Sequence, residues 1–290
     1  MLNRNDPCWC NSGKKWKKCH YPIGTVRNAQ DLAREYKKKF GILLKTPEEI
    51  KGIKHACKVA TDILDKLCHA AKAGATTNEL DLLAIRLHKE ANATAAPLGY
   101  GDPPFPKSIC TSLNEVVCHG IPNDIPLKEG DILNIDVTSI VDGYYGDCSR
   151  MVAIGKIDEE KKRVMDVSYE CLMKAIEILK PGVLVCEIGK VIEELAAVHK
   201  CSVVNIFVGH GVGLQFHEPP QIPHHLNRID VPLVEGMTFT IEPMINAGIR
   251  TTIVDSQDHW TARTADEKPS AQWEHTLLIT SNGYEILTVL

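Results

Sequence analysis

Apolar residues recur every three or four positions over four long stretches of this chain and alternate with polar ones over several short stretches, a mixed pattern of helices and strands. Thr46-Pro47-Glu48-Glu49 is a capping box with Pro in the first turn, and Ile50, Ile53, Cys57, Ala60, Leu64, Leu67 and Ala71 follow on one face. Gly74 ends that helix. A second box, Thr76 to Glu79, opens a helix carrying Leu80, Leu83, Ala84 and Leu87. A third helix spans Asp158 to Leu179 and stops at Pro181-Gly182, and a fourth carries Ile188, Val191, Ile192 and Leu195. The two pairs correspond, because Gly74, Glu79 and Leu80 fall opposite Gly182, Glu187 and Ile188 at a constant offset of 108. Pro126-Leu127-Lys128-Glu129-Gly130 and Pro232-Leu233-Val234-Glu235-Gly236 then lead, six residues later, to Asp136 and Glu242, at an offset of 106. Such a duplication predicts an α+β body of two related halves about a pseudo-two-fold axis, where a shared site would lie.

The strands give that site its chemistry. In Asp131 to Val141 the apolar Leu133, Ile135 and Val137 alternate with Asn134, Asp136 and Thr138, so Asp136 projects from a polar face. Asp142-Gly143 is a two-residue hairpin signal that places Asp136 opposite Ser149 and makes Asp147 a diagonal neighbour on the same face. Two carboxylates aimed together repel unless protons or cations lie between them. The second half supplies Glu242, on the Thr238, Thr240, Glu242 face, and Glu274, while the Gly-rich segment 208–220 brings His210 and His217. Four carboxylates and one imidazole form a hard donor set that fits two divalent ions, the device by which a water is acidified and a carbonyl polarised. A structural calcium site is the competing reading, and His210 argues against it.

The charge divides the chain. Residues 1–45 hold 11 basic and 3 acidic residues, and the rest holds 22 and 34. A basic arm on an acidic body predicts a polyanionic partner such as ribosomal RNA. At 44% hydrophobic and 24% charged residues the composition is that of a folded globular protein. With no apolar run near ~18 residues and no secretory signal, the expectation is a cytoplasmic protein that does not enter a membrane. In that compartment the 11 cysteines are thiols or metal ligands. Cys8, Cys10, Cys19 and His20 gather four soft ligands in thirteen residues, the number that closes a tetrahedral structural zinc site. The spacing resembles the SEC-C motif, a small zinc module with a docking role. The expected organisation is therefore a zinc-binding motif over 1–20, a basic linker over 21–45 with a helix around Leu32 to Phe40, and a body over 46–290.

The body resembles the type I methionine aminopeptidases of the pita-bread fold. The resemblance rests on Val117-Cys118-His119-Gly120-Ile121-Pro122, Asn134-Ile135-Asp136-Val137, Gly146-Asp147, Gly209-His210-Gly211-Val212-Gly213, Phe216-His217-Glu218-Pro219-Pro220, Thr240-Ile241-Glu242-Pro243 and Gln272-Trp273-Glu274-His275-Thr276. It implies that Asp136, Asp147, His210, Glu242 and Glu274 ligate two divalent ions, of Mn, Fe, Co or Zn, with Asp147 and Glu274 bridging. It further implies removal of the initiator methionine from nascent polypeptides whose second residue is small. Glu242 would accept a proton during attack, His217 would bind the scissile carbonyl and its oxyanion, and His119 would contact the substrate amide. Tyr100, Phe105, Cys110, Phe216 and Trp260 would wall the methionine pocket. The rim departs from the family pattern, since Gly101-Asp102-Pro103-Pro104 is longer and Phe105 stands where a tyrosine is usual. A monomer is expected, with ribosome docking through the arm. Prolidase and aminopeptidase P relatives share the metal set but usually carry a large N-terminal domain, for which 1–45 is too short. Non-catalytic ribosome- or RNA-binding relatives have lost ligands that are all present here.

Overall fold

The computed structural model describes residues 5–8, 13–19 and 29–289. Among the described residues five α-helices are formed: α1 (Ala29–Phe40), α2 (Pro47–Ala70), α3 (Thr77–Glu90), α4 (Glu159–Glu177) and α5 (Val185–Val198). Their starts follow from the capping residues. Thr46 and Thr76 each accept the backbone N–H three residues on and receive the glutamate there on their own N–H, while Asp158 accepts from Lys161. At the fourth start Leu184 has no such oxygen, and the Glu187 carboxylate alone accepts the Leu184 N–H at 2.9 Å.

The duplication is visible in the backbone. Isolated bridges join Thr76 to Pro126 and Leu184 to Pro232. Gly74 N donates to Leu127 O and Gly182 N to Leu233 O, each at 2.8 Å. In the first half the strands Ile132–Val141 and Tyr144–Ala153 form a ten-residue antiparallel hairpin. Its register is the expected one, with Asp136 opposite Ser149 and Thr138 opposite Asp147. Asp142 and Gly143 sit at φ 51 and 84, the left-handed pair that a tight primed turn requires. Thr94–Ala95 and Cys110–Leu113 share the other edge of Ile132–Val141. In the second half a five-stranded sheet runs Tyr284–Ile286, His275–Ile279, Thr238–Ile241, Gly209–Gly211, Glu218–Ile222. A bridge between Ser149 and Glu274 joins the two sheets. Thr276 Oγ1 donating to Asp147 O at 2.7 Å and Asn134 Nδ2 donating to Gln272 O at 2.7 Å reinforce that seam.

Each half has its own apolar core. Leu64, Leu67, Leu80 and Leu87 of α2 and α3 pack on Leu133, Ile135 and Val137 of the hairpin. Leu172, Ile176, Ile188 and Ile192 of α4 and α5 pack on Phe239, Ile241 and Leu277. The stretch expected as a linker contributes to this second core: Tyr36 of α1 and Ile42 are buried there, and Tyr36 Oη donates to Pro232 O at 2.9 Å. Residues 21–28 lie outside the described residues. So do Cys10 and His20 of the zinc set, whereas Cys8 is buried and Trp16 N–H donates to Asp6 O at 2.8 Å. Among the described residues no helix is long and apolar enough to cross a membrane.

Helix α2 lies directly on the hairpin because Gly146 has no side chain. A Cβ there would stand 2.2 Å from the Cys57 backbone nitrogen, which cannot swing aside as a side chain would. Gly146→Ala is expected to lower stability by at least ~2 kcal/mol, read as a lower urea midpoint at unchanged slope.

Candidate active site

The hairpin and the second sheet meet around a cavity of about 280 Å³. Asp136 and Thr138 enter from one hairpin strand and Asp147 from the other, since residues two apart share a face. Glu242 follows the end of Thr238–Ile241, and Glu274 immediately precedes His275–Ile279, whose register places His275 opposite Ile241. His210 comes from the short Gly209–Gly211 strand, where glycines let the backbone approach closely. A Cβ at Gly211 would lie 2.3 Å from Pro219 O.

Distances define one cluster. Ligand atoms of Asp147, His210 and Glu274 all lie within 4.8 Å of one another. His210 Nε2 is 3.6 Å from Glu242 Oε1 and 3.8 Å from Asp147 Oδ2. Thr138 Oγ1 donates to Asp147 Oδ1 at 2.7 Å, Thr240 Oγ1 to Glu242 Oε1 at 2.6 Å and Gln272 Nε2 to Glu242 Oε2 at 3.0 Å. The Glu242 backbone N–H is itself held by His224 Nε2 at 3.1 Å. These contacts orient the carboxylates and leave their other lone pairs turned inward.

Burial, with repulsion from Asp147, raises the pKa of Asp136 well above the ordinary range. Burial does the same for Glu242 and Glu274, against hydrogen bonds that favour their charged forms. Asp147 is pushed up to about 7 by burial, opposed by the Thr138 hydroxyl. Burial lowers His210 to about 3 and His119 to about 4, so both imidazoles are neutral at physiological pH. Among the described residues lining the cavity there is no lysine or arginine to balance four carboxylates. A hard oxygen set with one neutral imidazole and no internal counter-charge fits divalent cations.

Every residue expected in the active site faces this cavity. His217 sits at its mouth with its ring centroid 4.2 Å from His210 and 5.0 Å from Tyr100. His119 holds a left-handed backbone at φ 57, an uncommon conformation for a non-glycine residue, and its ring lies edge-on to Phe207 at 5.1 Å and Trp260 at 6.0 Å. Phe105 is buried and packs against Trp260 at 5.3 Å, and Tyr100 meets Phe216 at 4.9 Å. In the rim segment 101–104 the Pro103 carbonyl accepts the Trp260 indole N–H at 3.0 Å, which fixes the far wall. Cys118, Phe207, Met244 and Gln272 also line the cavity and were not expected as site residues. Gln272 was within reach, since it stands two residues before Glu274 in a short alternating segment.

Residues 51–281 match the metallopeptidase family M24, and residues 4–22 match the SEC-C motif. The methionine aminopeptidase of Chlamydia pneumoniae is 59% identical over 289 residues, covering 100% of this chain and 99% of the relative. The crystal structure of methionine aminopeptidase from Rickettsia prowazekii superposes with a TM-score of 0.83 at 46% identity, covering 86% of this chain and all of that one. Prolidase from Pyrococcus furiosus shares the fold at a TM-score of 0.71 and 24% identity, with this chain covering 69% of it. On a family match through most of its length and a full-length relative at that identity, the chain belongs to metallopeptidase family M24, among the type I methionine aminopeptidases with an N-terminal SEC-C motif.

Proposed function

We propose that the protein removes the initiator methionine from nascent polypeptides whose second residue is small. The observation that carries this reading is a buried cluster of carboxylates and one neutral imidazole on the floor of a largely apolar cavity of about 280 Å³. Asp136, Asp147, His210, Glu242 and Glu274 would hold two divalent ions, of Mn, Fe, Co or Zn. When bound, such a pair acidifies a water and polarises a carbonyl.

The remaining work falls to this chain's own side chains. Tyr100, Phe105, Cys110, Phe216 and Trp260 enclose an unbranched thioether and exclude water around it. His217, at the cavity mouth, donates from its ring nitrogen to the scissile carbonyl, and that bond strengthens as negative charge develops on the oxygen. His119, held neutral by burial, offers a hydrogen bond to the amide on the leaving side. Glu242 accepts the proton released during attack, and the Thr240 hydroxyl and the Gln272 amide on its two oxygens hold the carboxylate in place for it. The free amino terminus of the substrate meets the acidic floor, so a blocked terminus is rejected.

Cys8, Cys10, Cys19 and His20 would bind one structural zinc in the SEC-C motif, and the basic arm would bring the enzyme to ribosomal RNA as a cytoplasmic monomer. Purified full-length protein supplied with Mn or Co is expected to release methionine from Met-Ala-type peptides and not from Met-Lys-type or Xaa-Pro peptides. Metal analysis of the same sample is expected to find two divalent ions besides the zinc. Turnover restricted to Xaa-Pro substrates, or none with any divalent ion, would remove this assignment.

A further inference from the structure

One buried ion pair outside the carboxylate cluster is used by nothing in the mechanism above. Lys45 Nζ lies 2.8 Å from Glu218 Oε2, and both side chains are only 1% exposed. The other oxygen of Glu218 accepts two backbone N–H groups, from Leu214 at 2.9 Å and from Gln215 at 3.3 Å. A single carboxylate thus closes the turn that presents Phe216 and His217. Its lysine partner comes from 173 residues earlier in the chain, on the short segment between α1 and α2. That segment is firmly placed. Lys45 N–H donates to Gly236 O at 2.8 Å, Gly236 needs its positive φ of 86 to pass beneath it, and Ile42 is sunk in the core of the second half.

We propose that Lys45 is a positioning residue for His217, acting through Glu218; this rests on the reading of His217 as the group that binds the scissile carbonyl. Burying two charges gains little stability over a well-packed apolar pair, so stability alone gives no account of this one. Directionality does. The Glu218 carboxylate accepts on both oxygens at once, from the Lys45 ammonium on Oε2 and from the Leu214 and Gln215 N–H groups on Oε1, so the lysine fixes the orientation in which the other oxygen holds the turn. The Phe216 and His217 rings then stand 4.2 Å apart and His217 stays 4.2 Å from His210, instead of sampling the open mouth of the cavity.

The test uses full-length protein and a Met-Ala peptide. Lys45→Met is expected to lower kcat about thirtyfold with KM changed less than about threefold, because misplacing a group by ~1 Å can cost two orders of magnitude. The same change introduced into His217→Ala is expected to cost nothing further. Amide exchange gives a readout without turnover: in metal-free Lys45→Met, residues 213–217 should exchange faster while α2 and the hairpin do not. Lys45→Met/Glu218→Gln, which buries no unpaired charge and still offers Leu214 an acceptor, should regain at least a third of the wild-type kcat. Where Lys45→Met does not fold, Glu218→Ala makes the same comparison, since the lysine left behind can shed its proton. Equal losses in the His217 and His217→Ala backgrounds, or unchanged exchange over 213–217, overturn the proposal while the assignment of function stands. Wild-type protein inactive on the peptide overturns both.

Discussion

Asp147→Asn is expected to lower kcat by about a thousandfold or more and, in metal-stripped protein, to raise the melting temperature. The first effect follows from the position of the side chain. Asp147 stands at the centre of the cluster, within reach of His210 and Glu274, and an amide keeps its shape while removing the charge that holds a cation and supports water activation. The second follows from the electrostatics of the same group. Asp147 is pushed up to about 7 by burial, and its charge makes Asp136, Glu242 and Glu274 harder to ionise, so the stripped fold must either protonate Asp147 or bury its charge, a cost that the neutral amide does not carry. A gain on the order of 1 kcal/mol is expected in stripped protein, and it should vanish or reverse when wild type and variant are compared with Mn present. Peptide turnover and thermal melts with and without chelator check both halves. Turnover near the wild-type rate, or a stripped variant that melts below stripped wild type, would show that Asp147 is not part of a charge cluster built for cations. The site is thus one where function opposes stability in the absence of its ions.

The parts of this arrangement that the chain announces locally are those governed by short-range rules. The Thr46 and Thr76 capping boxes set two helix starts to the residue, because the hydrogen bonds involved span three positions. The Asp142-Gly143 turn fixes the hairpin register, and with it the shared face of Asp136 and Asp147, because a two-residue loop leaves no freedom to slip. The duplication extends this to Glu242, since equivalent positions of a repeated unit occupy equivalent places. Features set by contacts between distant segments were less visible. Helix α1 reads as a basic linker because Lys37, Lys38 and Lys39 dominate its composition, yet Leu32, Tyr36 and Phe40 lie four apart and pack on the second core. Phe207 and Met244 come from segments without periodicity, and only the fold brings Phe207 to His119. Lys45 and Glu218 carry no sequence signal that pairs them; each alone is an ordinary charged residue.

The metal-stripped protein is expected to lose stability as pH rises from 6.5 to 8, while the Mn-loaded protein does not. In the folded, stripped state Asp136, Glu242 and Glu274 hold their protons well above the usual carboxylate range and Asp147 up to about 7. Unfolded, all four ionise near pH 4. The folded state therefore binds more protons than the unfolded state above pH 4, and the slope of unfolding free energy with pH is negative. This stability is fully present below the unfolded pKa and is lost as pH climbs toward the folded value. Each carboxyl still protonated in the fold removes roughly 1 kcal/mol per pH unit. The window isolates these groups. Below pH 6.5 the buried imidazoles act with the opposite sign, because His119 and His210 are lowered to about 4 and 3 and unfolding lets them take up protons. Above pH 8 the buried thiols, such as Cys110 and Cys148, begin to add their own loss of protons on unfolding. With Mn bound the four carboxylates are ionised in the folded state as well, so the proton difference disappears and the slope between pH 6.5 and 8 should be near zero. Urea midpoints across that range, with chelator and with Mn, measure the difference, and Asp147→Asn should flatten the stripped slope near pH 7. A stripped protein whose stability is level or rising over the window would mean that the four side chains are hydrated and separately ionised, which is incompatible with a cavity that gathers them around cations.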